Sequence, residues 1–143
     1  MKKSTDELSK ILESKKTGRE LDEFLKENRE NFSEQIFTEM LEQTLKENKV
    51  RKSQAIRRSL IDRTYAYNIF QGVRVPSRDK LIMLCIGMGA DCEQTKRLLL
   101  KLKLAPLYTK DARDSIILFG LLHKLSVIDI NALLYEKNFQ ILQ

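Results

Sequence analysis

Apolar residues recur at i, i+3 and i+4 along almost the whole chain, strand-length alternation of β-branched residues is absent, and the only prolines are Pro76 and Pro106. That period belongs to amphipathic helices, so the pattern predicts an all-α fold. Helix starts are marked by capping boxes, in which a short polar side chain accepts from a backbone N–H three residues on. Ser4 with Glu7 precedes Leu8, Ile11 and Leu12, and Thr17 with Glu20 precedes Leu21, Phe24 and Leu25. These two helices, within residues 1–32, are short and highly charged and are expected to lean on the body of the protein or on a partner.

A core segment spans residues 33–104. Ser33 is expected to cap its first helix, with Phe32 and Phe37 as a hydrophobic staple and Ile36, Met40, Leu41 and Leu45 along one face. After a basic bend at Lys49 to Lys52 come a short helix from about Ser53 to Ser59, the tripeptide Leu60, Ile61 and Asp62, and a second helix from Arg63 to Gln71. Gly72 is placed to take the left-handed conformation that ends such a helix. Ser77, after Pro76, caps a helix through Ile86 that Gly87 and Gly89 are expected to break. Asp91 with Gln94 opens the next, which carries Leu98, Leu99 and Leu102 and stops before Pro106. Residues 105–143 read as an apolar helical pair, about Lys110 to His123 and Ser126 to Lys137, serving as a core extension or a dimerisation surface. Ser126 with Asp129 and Leu125 with Ile130 mark the second start. The run Ile116, Ile117, Leu118, Phe119, Leu121, Leu122 is apolar on more than one side, as in a central helix or half of an interface.

Charge changes the picture because it is unevenly placed. The 143 residues carry a formal +6, but residues 1–48 sum to −3, 49–113 to +10 and 114–143 to −1. A basic block between weakly acidic flanks is the footprint of a polyanion-binding surface, with a solvated basic face as the plainer reading. Nothing near the amino terminus has the apolar core of a signal sequence, and no stretch approaches the roughly 18 apolar residues of a membrane helix, so a cytoplasmic location is expected. Cys85 and Cys92 are too few and too far apart for a disulfide framework or a Cys-x-x-Cys pair and read as reduced thiols. His123 is the only histidine, which removes a catalytic triad and a His-rich metal site; its place near a helix C-terminus suits capping. Asp111 and Asp114 beside Lys110 and Arg113 fit surface ion pairing better than acid/base chemistry. Neither an enzyme nor a cofactor or metal site is expected.

Projection of residues 63–71 at about 100° per residue places Arg63, Thr64, Tyr67, Asn68 and Gln71 within an arc of about 140°, with Tyr65, Ala66, Ile69 and Phe70 opposite. The first set suits a major groove: arginine can grip guanine O6 and N7, asparagine or glutamine can grip adenine N6 and N7, and threonine can touch a thymine methyl. Residues 41–86, and more loosely 33–104, resemble the helix-turn-helix of the Cro and lambda-repressor-like regulators, the XRE class. The residues that carry the resemblance are the Ile61-Asp62-Arg63-Thr64 turn, Ile69 and Gly72, and the Gly72-Val73-Arg74-Val75-Pro76-Ser77 exit.

The resemblance implies a five-helix bundle with the third helix in the major groove and the second across the backbone, here with two accessory helices at each end. It implies base contacts from Arg63, Thr64, Tyr67 and Asn68, joined by Gln71 from the helical projection. It further implies phosphate contacts from Lys52, Ser53 and Arg74; Arg51 and Arg78 are added on charge. Departures from the pattern are Lys52 at the family's glutamine, Ala55-Ile56 at its Leu-Ala pair, Leu60 at its turn glycine and Phe70 at a usual glutamate. The bulkier residues imply a wider angle between the two helices.

The expected function is a sequence-specific regulator of transcription that binds double-stranded DNA, working as a homodimer through its terminal helices. The alternative is a protein-interaction adaptor that uses the same scaffold without DNA, with Phe24 and the Ile116 to Leu122 run as anchors.

Overall fold

The computed structural model describes residues 4–27 and 35–143, and these divide into two compact units, 1–35 and 36–143. All regular structure among the described residues is helical. In the first unit, α1 (Thr5–Glu13) starts at Ser4, whose hydroxyl accepts from the Glu7 N–H, and α2 (Gly18–Glu27) starts at Thr17, whose hydroxyl accepts from the Glu20 N–H. The Glu20 carboxylate reaches back to the Lys16 N–H at 3.0 Å. Leu12, Leu21 and Leu25 are exposed, whereas Phe24 is buried.

The second unit holds α3 (Phe37–Asn48), α4 (Lys52–Ser59), α5 (Arg63–Phe70), α6 (Arg78–Gly87), α7 (Cys92–Lys101), α8 (Ala112–Leu122) and α9 (Val127–Glu136). The expected cap Ser33 and staple residue Phe32 lie outside the described residues. In the structure α3 begins at Phe37, and Ile36, assigned above to the apolar face, is its solvent-exposed N-cap. Other starts follow the expected chemistry. Ser77 accepts from Lys80, Asp91 and Gln94 make a reciprocal capping box, and Ser126 accepts from Asp129. Each such cap satisfies a helix-terminal donor that would otherwise lack a partner.

Helix α6 organises this unit. Leu81, Ile82, Met83, Leu84 and Cys85 are all buried, so the helix is apolar around its circumference and packs against α4, α7 and α9. Such a helix is held by burial on every side. Gly87 is its last residue, as the sequence predicts. A Cβ there would meet the Ala55 carbonyl oxygen and the Ser59 N–H of α4, so glycine is what lets the two backbones touch. Gly89, at φ +67°, then takes the left-handed conformation that turns the chain away.

The apolar pair at the carboxyl end is a core extension: Ile117, Leu121, Val127, Ile130, Leu134 and Leu142 belong to the same buried cluster as α3 to α7. Phe119 and Leu122 of α8 and Ile128 and Tyr135 of α9 remain exposed. Two crossed ion pairs tie α8 to α6. Arg78 donates to both Asp114 oxygens at 3.2 and 2.9 Å, and Arg113 to both Asp79 oxygens at 3.3 and 3.0 Å. Asp111 caps α8 and Asp114 is 6% exposed, so these acids are structural and not the surface pairs expected.

Substitution Gly87→Ala tests the α4–α6 contact. It is expected to lower the free energy of unfolding by about 3 kcal/mol, because the methyl group is forced onto backbone atoms. Urea unfolding reads this; an unchanged midpoint would mean that the helices can part without cost.

Candidate nucleic-acid interface

The turn between α4 and α5 is three residues long. Leu60 takes a left-handed conformation (φ 61°, ψ 14°), Ile61 is buried, and Asp62 caps α5 by accepting from the Tyr65 N–H at 3.1 Å. A left-handed leucine is strained by Cβ crowding. Its side chain is 52% exposed. The residue at the expected glycine position thus leaves about half of its side chain in solvent and carries backbone strain that a glycine would not.

Ala66, Ile69 and Phe70 anchor α5 in the core, while Arg63, Thr64 and Gln71 are exposed and Tyr67 and Asn68 are half-buried. The Arg63 guanidinium lies 5.7 Å from the Tyr67 ring centroid, within cation–π range. Together with Ser53 and Arg57 of α4, these two residues line a cleft between the helices. The α5 exit is closed by Gly72 at φ 78°, and the N–H groups of Val73 and Arg74 both donate to the Asn68 carbonyl. The N-terminus of α4 has no side-chain cap, since its N-cap is Arg51, so its first N–H groups have no capping side-chain acceptor among the described residues.

No family model, curated protein or solved structure matches the chain.

Two residues expected to contact phosphate have partners within the protein. Arg78 spends its guanidinium on Asp114 and on the carbonyl oxygens of Ala105 and Pro106, at 2.9 and 3.2 Å. This corrects its assignment to phosphate, which rested on charge. Lys52 makes a surface ion pair with Glu42 and its ammonium lies 5.1 Å from the Phe70 ring centroid, so a carboxylate stands beside its charge. Arg51, Ser53 and Arg74 are exposed.

Tyr65 packs against the core, as its helical phase predicts, and also reaches the basic surface. It is half-buried, with the Arg74 guanidinium 4.5 Å and the Lys80 ammonium 5.8 Å from its ring centroid. Lys80 and Arg57 are thus basic residues of this region that the sequence reading omitted. The i, i+4 spacing of Ser53 and Arg57 signals the second. Nothing local signals Lys80, which lies 15 positions beyond the ring it approaches.

Among the described residues no group of three or more His, Cys, Asp or Glu is placed to hold a metal, and no helix is long and apolar enough to cross a membrane. His123 is the C-cap of α8, its ring 4.4 Å from Phe119. Burial pushes the Cys85 thiol up to about 12, with a smaller opposing effect from its hydrogen bond to Thr95. Burial and the Asp91 charge raise Cys92, against Lys124.

Two measurements follow. At pH 8 both thiols are protonated, so a disulfide reagent is expected to label Cys92 slowly and Cys85 only after denaturation; rapid labelling of both would contradict the burial of Cys85. Arg78→Ala is expected to cost about 3 kcal/mol of stability in urea unfolding, because it strands the buried Asp114 carboxylate.

Proposed function

We propose that residues 36–143 bind double-stranded DNA as a sequence-specific regulator of transcription, in the manner of the Cro and lambda-repressor-like proteins, with α5 in the major groove and α4 across the backbone. The observation that carries this reading is the division of α5. Its apolar side is sunk in the core, while Arg63, Thr64 and Gln71, which have hydrogen-bonding capacity towards base edges, stand in solvent immediately after a three-residue turn. Tyr67 and Asn68 complete that side with part of their surface.

Phosphate contacts are assigned to Arg51, Ser53 and Arg74, with Arg57 and Lys80 added. The uncapped α4 N-terminus supports the assignment, since free N–H groups and the helix dipole favour an anion. Tyr65 supports it differently: a ring within cation–π range of two cations holds them at the exit of α5 without neutralising their charge, as an acid would. Two copies would read half-sites about 34 Å apart.

Selection of bound duplexes from a random pool, followed by affinity measurements across salt concentrations, tests the reading. With four to six phosphates neutralised per protomer, the log–log slope is expected at about −0.9 per contact. Arg63→Ala should relax preference at one base pair, by about 1–3 kcal/mol of discrimination. Arg74→Ala should weaken all sequences alike. Salt-independent association, or no enrichment, would overturn it. The exposed Phe119, Leu122, Ile128 and Tyr135 favour the second reading, a protein-interaction adaptor that does not bind DNA; enrichment of one duplex sequence would rule that out.

A further inference from the structure

A cleft of about 480 Å³ opens where the C-terminal ends of α4 and α6 meet the turn between α8 and α9. That size is in the range of small-molecule sites. Its inner lining is apolar and buried or half-buried, formed by Ile86, Ala90, Leu121 and Val127. At its mouth stand two large apolar side chains left in water, Leu60 at 52% and Ile128 at 64% exposure. Covering them would be favourable, because apolar surface would leave solvent.

The charge of the lining is of one sign. Arg58 and Lys124 contribute to it, and no Asp or Glu does. Arg58 has no carboxylate partner among the described residues. Lys124 makes a single hydrogen bond, to the Gly89 carbonyl at 3.2 Å, and so keeps two of its three donors. The first turn of α9, through Ser126, Val127 and Ile128, also lines the cleft and adds the positive end of a helix dipole.

From this combination we infer that the cleft binds a small aliphatic carboxylate, its chain against the apolar lining and its head between Arg58 and Lys124. An inorganic anion such as phosphate would leave the apolar lining unused, and an aliphatic cation would be repelled. The site lies apart from Arg63, Thr64 and Gln71, and the inference does not depend on DNA binding. Leu60 lines both this cleft and the one containing Arg63 and Tyr67, so an occupant would touch the turn that leads into α5.

Decanoate, kept below its micelle concentration, is the probe, titrated into the full chain while backbone amide resonances are followed. Saturable shifts confined to Leu60, Leu125, Ile128 and their neighbours are expected. Decanol, which lacks the anionic head, should bind about tenfold more weakly, as should decanoate to an Arg58→Ala, Lys124→Ala double variant. Ile128→Glu changes an exposed side chain, leaves the core untouched and should abolish saturable binding by setting a carboxylate in the mouth. Non-saturating or scattered shifts, equal binding of decanol and decanoate, or unchanged affinity in both variants would overturn the proposal.

Discussion

The placement of α5 depends on the approach of α4 to α6 at Gly87. Because α6 is buried around its circumference, it is a fixed reference to which the other helices of this unit are fitted. The Ala55 carbonyl and the Ser59 N–H rest where a side chain would otherwise stand, so α4 lies as close to α6 as backbones allow. The short turn then leaves α5 little freedom, with Asp62 closing its first turn and Ala66, Ile69 and Phe70 locking its inner side. A surface built this way gains precision from packing beneath it, which is what a site needs if its groups are to meet fixed partners.

Polar contacts at a distance complete the frame. Asn48 and Gln94 exchange amide hydrogen bonds at 3.1 Å between the end of α3 and the start of α7, while Gln94 also accepts from the Asp91 N–H. The crossed arginines do similar work between α6 and α8. Each guanidinium serves one carboxylate and two backbone carbonyls: Ala105 and Pro106 for Arg78, and Gln140 and Ile141 for Arg113. Both charges are therefore paired and hydrogen-bonded, the condition under which part-buried ions are tolerated.

What the sequence made legible was local. The Ser4, Thr17, Ser77, Asp91 and Ser126 caps, the left-handed Gly72 and the amphipathic division of α5 each depend on residues within a few positions of one another, and each has its expected structure. What was missed was non-local. Arg78 reads as a surface cation because its partner is 36 residues away, and the end of α6 at Gly87 is legible while the need for glycine there is not, because the backbone it meets lies on α4. Helical phase places Tyr65 against the core, where it packs, but takes no account of the cations brought to its ring by the exit loop and α6. The polar face of α5 could be listed from its period, but which cations stay unpaired around it could not.

The crossed arginines also bear on where the chain can be divided. Residues 33–104 have the length and helix order of a self-contained bundle, yet a cut at 104 would remove the carbonyls and carboxylate that hold Arg78 and the guanidinium that holds Asp79. It would also expose the faces of α6 and α7 that pack on α9 and α8. The C-terminal pair is thus not an appendage that could be exchanged while the remainder stayed intact. In this chain the smallest unit that natural recombination or a protein engineer could move as a piece is residues 36–143.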